Sequence, residues 1–410
     1  MRSGTLLLLS LVVGGIGPPE QGSGRLGGPG VGDAVAGADA GDPYAGPFVA
    51  ALIRMSRPLI GADEIAAVDR VLRSGALVQG AEVEAFEAEF SATVEGRPCV
   101  AVSSGTAALH VGLLAAGIGT GDEVIVPSFT FAATAHAVVA CGAAPVFVDV
   151  DPSTFCMDPG AVEAAVSDRT AAVVPVHLFG HPADMVRLRR LAERHGLLVV
   201  EDACQAQGAR HQGRPAGALG AVAAISFHPS KTMTTGEGGM LVCGDAAVAS
   251  AARVWRNQGM NGVTGRPEVA GLNARMTEMA AAMGRVQLRR VPEFLDRRRG
   301  NATRWDGALP ASLVPHRSPD VEPAHHQYTI RCADSARRAD ASRMLAALGV
   351  ETRIYYETPL HLSPPYSSDG GPRRSMVHTE AAAETVLSVP VGPHLTDAEV
   401  DRIGEALSRL

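Results

Sequence analysis

The sequence predicts an α/β protein, with a large domain built on a mostly parallel sheet covered by helices and a smaller C-terminal α/β domain. Three observations lead there. Short apolar runs at residues 124–126, 145–150, 171–178 and 197–200 alternate with stretches of helical spacing, which is how a parallel sheet buried on both faces reads in sequence. A strand at 99–103 passes through Ser104, Gly105 and Thr106 straight into the helical run 107–116. From about residue 301 the texture changes. Strand candidates at 326–332 and 352–356 flank a helix at 339–348, and a capping box from Thr396 to Glu399 opens a last helix with Val400, Ile403 and Leu407 inward.

Composition narrows the function classes. A chain of 410 residues with 46% hydrophobic residues is globular and long enough for two or three domains. The net charge is −7, and the only basic run is the three arginines at 297–299, so a nucleic-acid surface is not expected. Six scattered cysteines without a C-x-x-C, and histidines without an H-E-x-x-H, read as free thiols in a cytoplasmic, reducing compartment and no structural metal. Residues 1–54 differ from the rest: an apolar run at 6–13, too short to span a bilayer, precedes a Gly/Pro/Ala-rich tail. We read them as a disordered or mis-started leader with Met55 as the working start, a secretory signal being the alternative. The G-x-G-x-x-G spacing at 22–27 is followed by GPGVGD, which does not open a helix, so no dinucleotide site is assigned there.

Taken in order, the lead-in is two amphipathic helices at 62–74 and 83–90, and the sheet then runs from 99 to 227. Ligands of such sheets bind at the carboxyl ends of the strands. The strand end at 99–103 meets the start of a helix, whose unpaired N–H groups and dipole favour a phosphate, although an ordinary Thr N-cap reads the same way. Phe131 follows the second strand end, as a core ring or a stacking face. Asp202 follows another, where an all-apolar strand demands a cation for its carboxylate, either an arginine or a protonated ring nitrogen. Beyond these, 253–260 and 271–276 read as loop, 279–288 as helix, and 361–376 as a mobile Ser/Pro/Gly-rich loop.

Residues 221–239, AVAAISFHPSKTMTTGEGG, carry Lys231, the only lysine of the chain. Arginine does not form Schiff bases, so any carbonyl held by a side-chain amine is held here. A strand at 221–227, the break at Pro229, and Gly236, Gly238 and Gly239 behind it give that amine a platform. Together with Asp202, the Gly-Thr helix start, Phe131 and Ser226, this set has the chemical logic of pyridoxal phosphate.

The sequence resembles the fold-type I aminotransferases of the DegT/DnrJ/EryC1/StrS family from about residue 58 to the C-terminus. The motifs that carry it are SGTAALHVGL at 104–113, GDEVIVPSFTFAATAHAV at 121–138, APVFVDVD at 144–151, VHLFGHPADM at 176–185, EDACQAQGA at 201–209, SFHPSKTMTTGEGG at 226–239 and GLNARMTEMAA at 271–281. The resemblance implies Lys231 as the cofactor lysine, Asp202 as partner of the pyridine nitrogen, and Gln205 beside the ring hydroxyl. It implies Gly105, Thr106 and Ser226 on the phosphate, Phe131 stacked on the ring, and Asn273 reaching the same phosphate across a homodimer with shared active sites. Cys204 stands where the family more often has alanine. The implied reaction moves an amino group from an amino acid, L-glutamate by preference, to a keto-sugar carried on a nucleotide, in amino-sugar or secondary-metabolite biosynthesis. A keto-cyclitol acceptor is the alternative; a dehydratase of the same family would have histidine in place of Lys231, and a non-catalytic regulator would not need the lysine and aspartate together. His326, Tyr355, Tyr356 and His361 are candidate substrate contacts. No membrane or nucleic-acid partner is expected.

Overall fold

The computed structural model describes residues 52–367 and 375–410, so the leader reading lies almost wholly outside the described residues. The centre is a seven-stranded sheet built from β1 (Cys99–Val102), β2 (Glu123–Pro127), β3 (Ala144–Val148), β4 (Thr170–Val173), β5 (Leu198–Asp202), β8 (Val222–Ser226) and β9 (Gly239–Cys243), ordered β1-β9-β8-β5-β4-β2-β3. Two small antiparallel strands, β6 (Arg210–His211) and β7 (Arg214–Pro215), lie between β5 and β8 in sequence. β9 is the one antiparallel member of the large sheet, paired with β1 and β8. The sequence reading placed no strand there, because glycines 236, 238 and 239 read as loop; Met240 to Cys243 are fully buried.

Alternation along the strands explains why the sheet is covered twice. Val124 and Val126 of β2 and Val222 and Ala224 of β8 face one core with α3 (Gly105–Ala115), α4 (Ala133–Ala140) and α7 (Ala246–Arg256). Ala223 and Ile225 face α2 (Ala81–Ser91) and α8 (Glu278–Asp306), and Ile125 faces α5 (Pro159–Ala165) and α6 (Met185–His195). A period of two with both registers apolar is what a doubly covered strand needs. α1 (Ala62–Ser74) packs on α8 as well.

The C-terminal part pairs β11 (Tyr328–Arg331) with β12 (Val386–Val389) under α9 (Ser335–Ala347) and α12 (Asp397–Leu407), and Trp305, Tyr328, Leu345, Leu387 and Ile403 fill its core. β10 (Val321–Glu322) pairs back with β6. The capping box at Thr396 and Glu399 forms as read.

Four readings change. Residues 253–256 are the last turn of α7, not loop. Residues 352–356 make one bridge, Arg353 to Ser388, and no strand. Within 361–376 the described residues form a 3-10 turn (Leu360–Leu362) and α10 (Pro364–Ser367), followed by α11 (Val377–Thr385), which sequence spacing did not reveal. The helix at 279–288 is 29 residues long and continues through position 300. Its polar stretch RRRGNATRW conceals Arg298, Asn301, Ala302 and Trp305, a buried stripe at i, i+3, i+4 and i+7.

Candidate active site

Five strand ends converge on one cavity of about 520 Å³, lined among others by Ser104, Gly105, Thr106, Phe131, Asp202, Gln205, Ser226, Lys231 and His326. At the end of β1, Ser104 rather than Thr106 caps α3: its side chain accepts from the Ala107 N–H. That leaves the N–H groups of Gly105 and Thr106, which have no acceptor among the described residues, open to an anion. Thr106 is exposed, and Gly105 leaves no room for a side chain, since a Cβ there would lie 2.7 Å from Ser226 Cβ and 2.9 Å from Cys204 Sγ. The result is a helix start whose backbone is bare enough for an anion to approach.

β8 delivers the lysine. Phe227 at its end locks among Phe86 and Phe90, with ring centroids 5.4 and 5.7 Å away. Its carbonyl then accepts from Thr234 Oγ1 and from the Thr235 N–H at 2.9 and 3.0 Å, folding 228–234 into a tight excursion from the sheet. Gly239 is required where the chain returns, because a Cβ would sit 2.4 Å from the Ser104 carbonyl oxygen. Lys231 projects half-buried into the cavity, and burial lowers its pKa below that of a solvated lysine despite the opposing pull of Cys204 and Asp202.

Asp202, the last residue of β5, is 6% exposed. Its Oδ2 accepts from Thr134 Oγ1 at 2.7 Å and its Oδ1 from the Cys204 N–H at 3.2 Å. Among the described residues its direct partners are these two donors, and no arginine, lysine or histidine forms an ion pair with it. No arginine therefore partners it; Lys231 is the cation coupled to it from across the cavity, and a protonated ring nitrogen of a ligand is the partner its position allows. Thr134 was not singled out in the sequence, because a threonine inside an apolar helix carries no signal of its own.

The remaining candidates divide. Phe131, 58% exposed, forms a wall with Tyr356, their ring centroids 6.3 Å apart. Gln205 has both ends of its amide engaged, accepting from the Phe179 N–H at 2.8 Å and donating to the Tyr356 hydroxyl at 3.1 Å. Tyr355, Tyr356 and His326 line the cavity; burial, then the charges of Lys231 and Arg298, push His326 well below the usual histidine range, and its Nδ1 has no partner among the described residues. The cavity also takes in Val176 and His228, which sequence reasoning missed. His361 is not in it: its ring meets Ser128 and Glu380 instead. Asn273 is exposed outside the cavity, on a segment that runs along the free edge of β1 through the bridge of Val102 to Arg275. Among the described residues no group of three or more His, Cys, Asp or Glu side chains could hold a metal, and no helix is long and apolar enough to cross a membrane.

Pyridoxal phosphate fits this donor set. Lys231 would hold its aldehyde, Asp202 its ring N–H, and Ser104 to Thr106 with Ser226 its phosphate. Those are the demands a fold-type I pyridoxal phosphate transferase makes of its chain, and that is the class the fold and the cavity define. The sequence matches the DegT/DnrJ/EryC1/StrS aminotransferase family over residues 58–408, and the chain belongs to that family. The erythromycin biosynthesis sensory transduction protein EryC1 of Saccharopolyspora erythraea is 46% identical over 338 residues, 82% of this chain and 91% of its own. The dTDP-3-amino-3,4,6-trideoxy-alpha-D-glucose transaminase of Streptomyces venezuelae is 43% identical over 350 residues, 84% and 91% of the two chains. Among solved structures, that of S. venezuelae DesV in complex with a ketimine intermediate superposes with a TM-score of 0.81 at 43% identity, covering 85% of this chain and 94% of that one. The enzyme class and cofactor expected from the sequence, an aminotransferase working through pyridoxal phosphate, are those of the family.

Proposed function

We propose that this protein is a pyridoxal phosphate-dependent aminotransferase that moves the amino group of an amino acid, L-glutamate, to a keto-sugar carried on a nucleotide. The buried Asp202 carboxylate, with no arginine partner among the described residues and facing the same cavity as Lys231, is the observation that carries the cofactor assignment. The named activity of the Streptomyces venezuelae relative supports the sugar acceptor. When bound, the cofactor supplies an aldehyde that exchanges amines and a ring that takes up electrons, which is the chemistry transamination needs.

The protein's own residues do the rest. Lys231 Nζ, held neutral more readily by burial, carries a proton to and from the carbon that gains or loses nitrogen. Thr134 Oγ1 and the Cys204 N–H fix Asp202 so that its carboxylate keeps the ring nitrogen protonated. The Phe131 and Tyr356 wall orients what enters and excludes water from one side.

The site is shared across a homodimer in this reading. Asn273 stands exposed beyond the β1 edge, and Ile65, Leu72 and Val78 on and after α1 are 64%, 53% and 66% exposed. Val68 of the same helix lines an apolar groove of about 330 Å³ together with Arg275, Met279 and Met283, and Glu237 is common to groove and cavity. Six cysteines without a disulfide support a cytoplasmic location. The deciding experiment incubates purified protein with L-glutamate and a panel of nucleotide keto-sugars and keto-cyclitols and follows product mass. Wild-type protein shows a visible cofactor band and aminates a member of the panel, whereas Lys231→Ala loses both; full turnover in that variant would refute the assignment.

A further inference from the structure

The sequence suggested His361 as a substrate contact, and the structure puts it one layer behind the cavity, where three of its groups are in use. Ser128, fully buried at the end of β2, accepts from the His361 backbone N–H at 3.2 Å, and its hydroxyl lies 2.6 Å from His361 Nδ1. The Ser128 carbonyl accepts from the Leu360 N–H at 3.0 Å. His361 Nε2 lies 3.3 Å from Glu380 Oε1, which also accepts from the Met376 N–H at 3.0 Å.

Donor and acceptor accounting fixes the arrangement. Ser128 Oγ accepts from the backbone N–H and could accept a second time, so the direction is set at the other nitrogen: Glu380 Oε1 only accepts, which puts the hydrogen of a neutral ring on Nε2 and leaves Nδ1 a lone pair for the Ser128 hydroxyl. The His361 side chain is 9% exposed and has no free ring nitrogen left. On one side of this junction Phe131 follows Ser128 by three residues; on the other, Tyr355 and Tyr356 precede His361 by six and five. Those two stretches are the two halves of the aromatic wall, and Phe129 also meets Tyr356, with centroids 6.1 Å apart.

We infer that His361 is a positioning residue for the acceptor: by bonding Ser128 it sets the spacing between Phe131 and Tyr356, and so the width of the wall against which the keto-sugar lies. The inference rests on the proposed transamination, and its test separates the two. If wild-type protein shows no glutamate-driven conversion of the cofactor band, the functional reading fails. With that conversion intact, His361→Ala raises KM for the acceptor about tenfold, on the scale expected of a small misplacement, while the glutamate half-reaction changes less than about twofold. Circular dichroism of the visible cofactor band, a readout independent of turnover, weakens because the ring's neighbour has shifted.

Two further variants keep the result decisive even if the alanine variant folds poorly. His361→Asn retains an acceptor where Nδ1 lies and restores KM and dichroism; His361→Gln reaches toward Glu380 only and does not. Combining His361→Ala with Phe131→Ala gives less than the product of the single effects on KM, because both act on one wall. Wild-type KM and dichroism in His361→Ala, equal rescue by Asn and Gln, or losses that follow only the folded fraction would overturn the positioning role.

Discussion

The cavity has a floor and a wall, and they are made differently. The floor, from Ser104 to Thr106 with Asp202 and Ser226 to Lys231, sits on strand ends whose strands are buried on both faces. Its backbone is fixed by near neighbours in sequence or in the adjoining strand, and one long-range side-chain bond, from Thr134 of α4, is added at Asp202. The wall joins residues more than 220 positions apart in sequence, Phe131 against Tyr356 and Ser128 against His361. A floor of this kind is rigid and generic to the chemistry, while a wall assembled from distant stretches is where acceptor choice can vary, with Phe131 the one residue that belongs to the wall and neighbours the cofactor's place.

Changes in the floor should therefore dominate. Asp202→Asn keeps the shape and the Thr134 contact but removes the charge, and is expected to lower turnover by about 10² to 10³-fold, the range for loss of one preorganised electrostatic partner. Single-turnover kinetics with glutamate measure it, and a loss under threefold would show that the floor does not depend on this carboxylate.

Its neighbour sharpens the contrast between chemistry and scaffold. Glu201 points to the other face of β5, fully buried, and accepts from His177 Nε2 at 2.9 Å and from the N–H groups of Gly217, Leu219 and Gly220. Burial alone would raise its pKa, but the bonds from His177 and from the backbone outweigh it and the carboxyl ends below the ordinary glutamate range. Glu201→Gln should cost about 3 kcal/mol of stability near neutral pH and leave turnover per folded molecule unchanged. Because the folded value is depressed, the wild-type advantage is full above the ordinary glutamate range and shrinks as pH falls through the lowered value. Denaturant melts of both proteins at neutral and acid pH check it, a constant gap being the contrary result.

Asn273→Ala tests the part of the floor assigned to a second copy. Cofactor affinity should fall about tenfold, the order of one lost hydrogen bond to a charged group, measured by equilibrium dialysis; an unchanged constant would confine the site to one chain.

Much of the floor is readable in the sequence because its signals are local: a strand, a turn residue and a functional group occur within ten positions, as in 226–239. Lys231, Asp202 and the Gly-Thr helix start come together in one cavity. The wall is not readable that way. His361 and Tyr356 look equally plausible as contacts, and only the three-dimensional pairing of Ser128 with His361 separates a lining residue from its support. Thr134 escaped notice for the same reason, since its partner Asp202 is 68 positions away. The strand β9 was hidden by the glycines that let it pass close to Ser104, and α11 and β12 by an alanine-rich stretch without marked periodicity.

The long helix α8 carries one consequence for the whole. Its first half lies under the large sheet, through Ala281, Val291 and Leu295, and its second half anchors the C-terminal core through Ala302 and Trp305. A continuous rod shared by two cores ties their melting together, so cutting the gene at residue 300 would sever a working beam rather than separate two modules, and the fragments should be poorly soluble when expressed alone.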